Sequence, residues 1–188
     1  MTQNLAGSLV DRVVAVQRAL DAAALPHAFG GAIALGYATP EPRMTRDIDI
    51  NVFVGASEAR RVLQALPPEL AWDEQLALQL ERDGQVRVPG GLFPVDLFLT
   101  NMPFHVEAGR RVRSVPFRDV MIPVLSALDI VVFKAMFDRN KDWVDIEEVF
   151  AAEAVKLSEA RAELERLVGP DDHRVTRLAA AAAAARAT

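Results

Sequence analysis

Two aspartates separated by one residue, Asp47 and Asp49, alternate with Ile48 and Ile50, with fifteen residues between them and a double glycine, Gly30-Gly31. Strand side chains alternate between faces, so this pattern sets both carboxylates on one face and both isoleucines on the other. At the usual rise the two α-carbons are roughly 6.6 Å apart. Strands disfavour aspartate, and two anions so close repel each other and lose hydration. A cation between them is the economical explanation, and Mg²⁺ prefers carboxylates combined with phosphate oxygens. A glycine pair ahead of a helix, in turn, lets backbone N–H groups approach an anion. Together the two segments point toward nucleotide chemistry.

The bulk of the chain narrows the remaining options. With 188 residues, 51% of them hydrophobic, it can bury a core as one domain, or as a core with a helical appendage. The expected division is a core over residues 1–125 and a helical part over 126–188, with the last ten or so residues frayed. No apolar run reaches the roughly 18 residues of a membrane span. Met1-Thr2-Gln3-Asn4 lacks a secretory start, and there is no cysteine for a disulfide or thiolate metal site. A cytoplasmic location is the expectation. The net charge of −5 does not advertise a grip on long polyanions. Arg110, Arg111, Arg113 and Arg118 could form a local basic patch, but a solvated strand edge is the simpler reading.

The chain reads as helix from Ser8 to about Leu25, strand over 27–29, helix over 32–36, loop over 37–46 and strand over 47–54. A helix opens at Ser57-Glu58 and runs to about Leu66. Between Leu70 and Thr100 strands are expected, with Asp83-Gly84 as a hairpin turn and 93–99 as a strand carrying Asp96. Asn101 is the expected cap of a short helix, followed by two edge strands near 111–117 and 120–124. Ser126 and Asp129 have capping-box spacing, and helices then cover about 127–138, 141–152 and 158–168. The tail holds seven consecutive alanines, Ala179–Ala185, and reads as a helix with little to anchor it. The fold class is α/β (α+β), a small mixed sheet flanked by helices.

If the Asp96 strand lies beside the first, three carboxylates meet at one edge of the sheet. Such clusters hold two metal ions that align a triphosphate. Here the chain resembles a known family. Gly30-Gly31, Arg43-x-Thr45-Arg46-Asp47-Ile48-Asp49-Ile50 and Val95-Asp96-Leu97-Phe98 are similar to the nucleotidyltransferase core of the DNA polymerase β superfamily. The closer resemblance is to bacterial minimal nucleotidyltransferase-like proteins of the abortive-infection (AbiEii-like) and toxin–antitoxin type. It extends over residues 27 to 150, through Leu128-Asp129-Ile130, Lys134, Arg139 to Trp143 and Asp145 to Glu148.

The resemblance implies a nucleotidyltransferase fold and Mg²⁺-dependent transfer of a nucleotide monophosphate from an NTP to an acceptor hydroxyl, with release of pyrophosphate. It implies Gly30 and Gly31 at the phosphates and Arg46 and Lys134 as nucleotide contacts. Asp47, Asp49 and Asp96 would be catalytic and ligate two Mg²⁺ ions, with Asp96 assisting deprotonation of the acceptor. The acceptor would be RNA or protein, with an antitoxin as partner. An aminoglycoside-type small-molecule transferase is the alternative, and a non-catalytic nucleotide- or partner-binding protein of the same fold is a third reading.

Each assignment has a plainer rival. Asp47 and Asp49 could be a strand end paired with Arg43 or Arg46, and Asp96 a solvent-facing strand residue. Lys134, in a helix apolar nearly all round, either snorkels to water or meets an anion. Asp142 and Asp145 suit capping and surface pairing better than catalysis. His27, His105 and His173 lack metal-ligand spacing and read as structural, and Trp143, Ile146 and Phe150 form a packing stripe.

Overall fold

The computed structural model describes residues 8–40 and 45–186; Arg43, one of the arginines weighed against the aspartates above, lies outside them. Six strands form one mixed sheet: β1 (His27–Phe29), β2 (Ile48–Val52), β3 (Gln85–Val88), β4 (Val95–Leu99), β5 (Arg113–Phe117) and β6 (Val120–Val124), in the spatial order β3-β4-β2-β1-β6-β5. β2 and β4 run parallel, as do β1 and β6, and the other neighbours are antiparallel. The α-helices among the described residues are α1 (Leu9–Ala22), α2 (Gly31–Leu35), α3 (Ala59–Ala65), α4 (Glu74–Asp83), α5 (Pro103–Arg110), α6 (Ala127–Phe137), α7 (Asn140–Ala151), α8 (Leu157–Val168) and α9 (His173–Ala185). Contacts divide the described chain into two compact units, residues 8–31 with 45–124 and residues 32–40 with 125–186.

In the first unit, strand alternation sorts the residues as the sequence requires. Ile48, Ile50 and Val52 register with Val95, Leu97 and Leu99, and Val88 and Val86 continue the same rows on β3. All eight are buried. The intervening residues, Asp49 with Asp96 and Arg87, share the opposite face. Ser8 caps α1 in a reciprocal capping box with Asp11, and Val13, Val16 and Leu20 are its buried stripe.

Several expectations need correcting here. The segment read as strand before Gly84 is the helix α4. Asp73 accepts the Leu76 N–H at its start, and Gly84, at φ +68, closes it in the left-handed conformation. Asp83-Gly84 is therefore a helix stop and not a hairpin turn. Asn101 does not cap α5; Met102 is the N-cap position and the helix begins at Pro103, where a missing N–H is harmless. Of the two strands expected at an edge, only β5 lies there, since β6 sits between β5 and β1.

The second unit is helical over 125–186. Ser126 caps α6 as the spacing predicts, its hydroxyl accepting the Asp129 N–H. The alanine tail contradicts its expected looseness. Val175, Leu178, Ala181 and Ala182 are buried, and Arg177 lies over the Trp143 ring at 4.8 Å. Asp138 gathers the Trp143 indole N–H at 2.7 Å, His173 at 2.7 Å and Arg177 at 3.0 Å. Alanine contributes little area, but its small side chain allows close helix approach, and the polar start of α9 supplies the fastening. His173 thus has the structural part expected of it.

Candidate active site

The site is built from one register row across the sheet. Asp49 on β2 lies directly beside Asp96 on β4, and Asp96 lies directly opposite Arg87 on β3. Neighbouring strands are about 4.8 Å apart, so the three charged side chains stand shoulder to shoulder on one face. The row reaches the glycine pair on the other side, where the Gly30 N–H donates to the Asp49 carbonyl at 2.8 Å. That bond engages Gly30 in the sheet and removes its N–H from the groups that could cradle a phosphate.

Gly31 has a different task. Its φ is +49, and a β-carbon placed on it would come 1.8 Å from Asp49 Oδ2. Only glycine leaves the Asp49 carboxylate its place, and only glycine takes this backbone conformation without strain. The helix α2 that follows is a mere five residues long.

Asp47 precedes β2 and is held by Thr45, whose hydroxyl donates to Asp47 Oδ1 at 2.7 Å. The strongest contacts in the site belong to Arg87. Its Nε donates to Asp96 Oδ1 at 2.7 Å and its Nη2 to Asp96 Oδ2 at 2.6 Å, a two-pronged pair. The same Nη2 donates to Asp47 Oδ2 at 2.8 Å. Hydrogen bonds and charge from Asp96, supplemented by Asp47, hold the Arg87 guanidinium above its ordinary range. The structure thus brings Asp47, Asp49 and Asp96 to one end of the sheet. Arg87 pairs with Asp96 and Asp47, a cation that the sequence reading does not single out; of the two arginines it does, Arg46 is exposed and Arg43 lies outside the described residues.

Arg87 is the residue that sequence reasoning missed, although the signal existed. Gln85-Val86-Arg87-Val88 and Val95-Asp96-Leu97 flank a Pro89-Gly90-Gly91 turn. Folding that hairpin with Val88 on Val95 sets Arg87 across from Asp96.

The carboxylate oxygens are hard donors of the kind Mg²⁺ prefers. As arranged, however, no three His, Cys, Asp or Glu side chains among the described residues form a metal-ready group. The guanidinium bridges two of the carboxylates instead.

Lys134 belongs to the second unit. Its ammonium donates to Asp145 Oδ2 at 2.5 Å and Asp142 Oδ1 at 3.3 Å, and Arg139 adds a bond to Asp142 Oδ2 at 2.6 Å. Of the two expectations for this lysine, it meets an anion rather than snorkelling. Asp142 and Asp145 are fully buried, which overturns the expectation of surface pairing. Burial alone would push the Asp142 carboxyl up; Arg139 and Lys134 outweigh it and hold the group below its usual range.

No protein-family model and no curated protein matches the sequence. Solved structures do match. A candidate nucleotidyltransferase from H. pylori superposes with a TM-score of 0.50 at 15% identity, over 93% of this chain and 92% of that one. The fold is that of a nucleotidyltransferase. Two further structures superpose less well. JHP933 from H. pylori has a TM-score of 0.49 at 15% identity, covering 93% of this chain and 89% of its own. The antibiotic-resistance factor ANT(2'')-Ia has a TM-score of 0.49 at 13% identity, covering 95% and 91%. No helix among the described residues is long and apolar enough to cross a membrane.

Proposed function

We propose that this nucleotidyltransferase-like chain is a Mg²⁺-dependent enzyme that transfers a nucleotide monophosphate from an NTP to an acceptor hydroxyl, releasing pyrophosphate. The observation that carries the reading is the row of Asp49 and Asp96 on adjacent parallel strands, with Asp47 drawn to it through Arg87. These three carboxylates are the groups that would hold the metal, which supplies charge neutralisation at the triphosphate when bound. Asp96, 19% exposed, would accept the acceptor's proton once released from Arg87. Because the Gly30 N–H is engaged, backbone contacts to phosphate would begin at Gly31, and Arg46 stands exposed beside Asp47 as a side-chain contact. Lys134, tied to Asp145 and Asp142, takes a structural part. The acceptor we propose is an RNA or protein hydroxyl, and the partner an antitoxin, as the resemblance to toxin–antitoxin nucleotidyltransferase-like proteins implies.

The test incubates the full chain with labelled NTPs, Mg²⁺ or Mn²⁺, and separate pools of tRNA, protein and aminoglycoside. Labelling of one pool is expected, reduced at least a hundredfold by Asp49→Asn and by Asp96→Asn. Labelling that survives both substitutions defeats the mechanism. A second reading, a nucleotide-binding protein without turnover, draws on one observation: Arg87 already bridges Asp96 and Asp47. Calorimetry showing NTP binding with no labelled acceptor in any pool would favour it.

A further inference from the structure

We propose that Arg87 is a built-in counter-ion of the carboxylate row, which a divalent cation must displace in order to bind. The inference rests on the metal-dependent reading above. Two carboxylates, Asp96 and Asp47, converge on one guanidinium, and Asp49 stands beside Asp96 in the same register row, so these four side chains formally carry −2. Like charges placed opposite one another on a sheet repel, and Arg87 relieves that repulsion at Asp96 and Asp47. Its fork matches the Asp96 carboxylate at both oxygens, 2.7 and 2.6 Å, and reaches Asp47 at 2.8 Å. Those oxygens are the lone pairs a divalent ion would need. Arginine and metal therefore compete for the same donors, and metal loading is an exchange of cations.

The exchange is physically easy on the arginine side. The Arg87 side chain is 57% exposed on the edge strand β3, so it can swing into solvent without opening the core. Exposed ion pairs are weak, and the guanidinium hydrates readily once released. The Asp96 carboxylate, more enclosed, stays where the strand fixes it. Arg87 is thus a positioning residue: it keeps the carboxylate row assembled before metal binds and lowers its apparent affinity for metal.

The experiment measures Mn²⁺ binding to the full chain without nucleotide, by the electron-spin signal of free Mn²⁺, for the wild type, Arg87→Gln, Arg87→Lys and Asp49→Asn. Arg87→Gln should bind Mn²⁺ about three- to tenfold more tightly than the wild type, the range an exposed ion pair allows. Arg87→Lys, a point charge without the fork, should fall between them, and it serves if the glutamine variant does not fold. Asp49→Asn should lose the site. Saturable, Asp49-dependent binding that is equal or weaker in both Arg87 variants overturns the counter-ion role while leaving the metal reading intact. Absence of saturable binding in every protein, wild type included, overturns both.

Discussion

Gly31 shows how one missing methyl group can decide a site. A β-carbon there would sit 1.8 Å from Asp49 Oδ2, on a backbone held at φ +49. Gly31→Ala must therefore either displace the carboxylate or rotate the backbone. We expect a stability loss of about 1–3 kcal/mol by urea unfolding, together with at least a tenfold loss of nucleotidyl transfer. Retained activity at full stability would show that Asp49 does not need its present place. His105 makes a separate prediction at the same scale. It is buried on α5 and its Nδ1 accepts the Asn101 N–H at 3.5 Å, a neutral ring's role. Burial pulls its pKa down to about 4. The unfolded ring, with a pKa of about 6.5, binds the proton that the folded ring refuses, so stability falls as pH drops from about 6.5 to 4 and levels off below. Across that window His105 accounts for up to about 3 kcal/mol, and His105→Gln should flatten this part of the curve of unfolding free energy against pH.

At the scale of elements, the buried ion cluster joining α6 and α7 is the most exacting part of the second unit. Lys134 neutralises two fully buried carboxylates, with Arg139 assisting at Asp142. Lys134→Met leaves those carboxylates without their buried partner, and breaking such a pair costs about 3–5 kcal/mol. Chemical unfolding should register that loss, whereas a change within about 0.5 kcal/mol would mean water reaches the cluster. Acid acts from the other side. The lowered Asp142 pKa gives stability that is present above its unfolded value of 3.8 and lost as pH falls below it. Elements were legible where local signals agreed, as in the Ser8–Asp11 box of α1 and the Ile-Asp alternation of β2. They were not legible where one signal admits two meanings. Asp83-Gly84 fits a hairpin turn as well as a helix stop, and Leu76 with Leu80, one helical turn apart, is what favours the stop. The alanine run gave the right element and the wrong anchoring, because what holds α9 is Asp138, thirty-five residues before His173.

For the molecule as a whole, sequence reasoning reached the residues of the site before it reached their arrangement. Asp47 and Asp49 stood out by alternation and Asp96 by its strand and the family resemblance, but their meeting depends on β4 pairing with β2 across the intervening α3, α4 and β3. No local pattern encodes that non-local, parallel pairing. Charge at this scale has its own consequence. The chain carries −5. Many of its arginines are already paired: Arg60 with Glu74, Arg61 with Glu58, Arg161 with Glu165, Arg166 with Glu163 and Arg174 with Asp172. In the arginine-rich stretch, Arg111 lies over Phe104 at 5.4 Å and within 3.9 Å of Glu107, while Arg113 is on the edge strand β5. Nonspecific affinity for nucleic acid comes from cations released as lysines and arginines meet phosphates, with a slope near −0.7 per contact for single strands. A surface this self-compensated offers few such contacts. Fluorescence anisotropy with a random single-stranded RNA should therefore give a Kd weaker than about 100 µM at physiological salt, with a shallow salt dependence. A micromolar Kd falling steeply with salt would contradict this. Under the expected result, an RNA acceptor would have to be recognised by its end or its shape, since the backbone charge alone would not retain it.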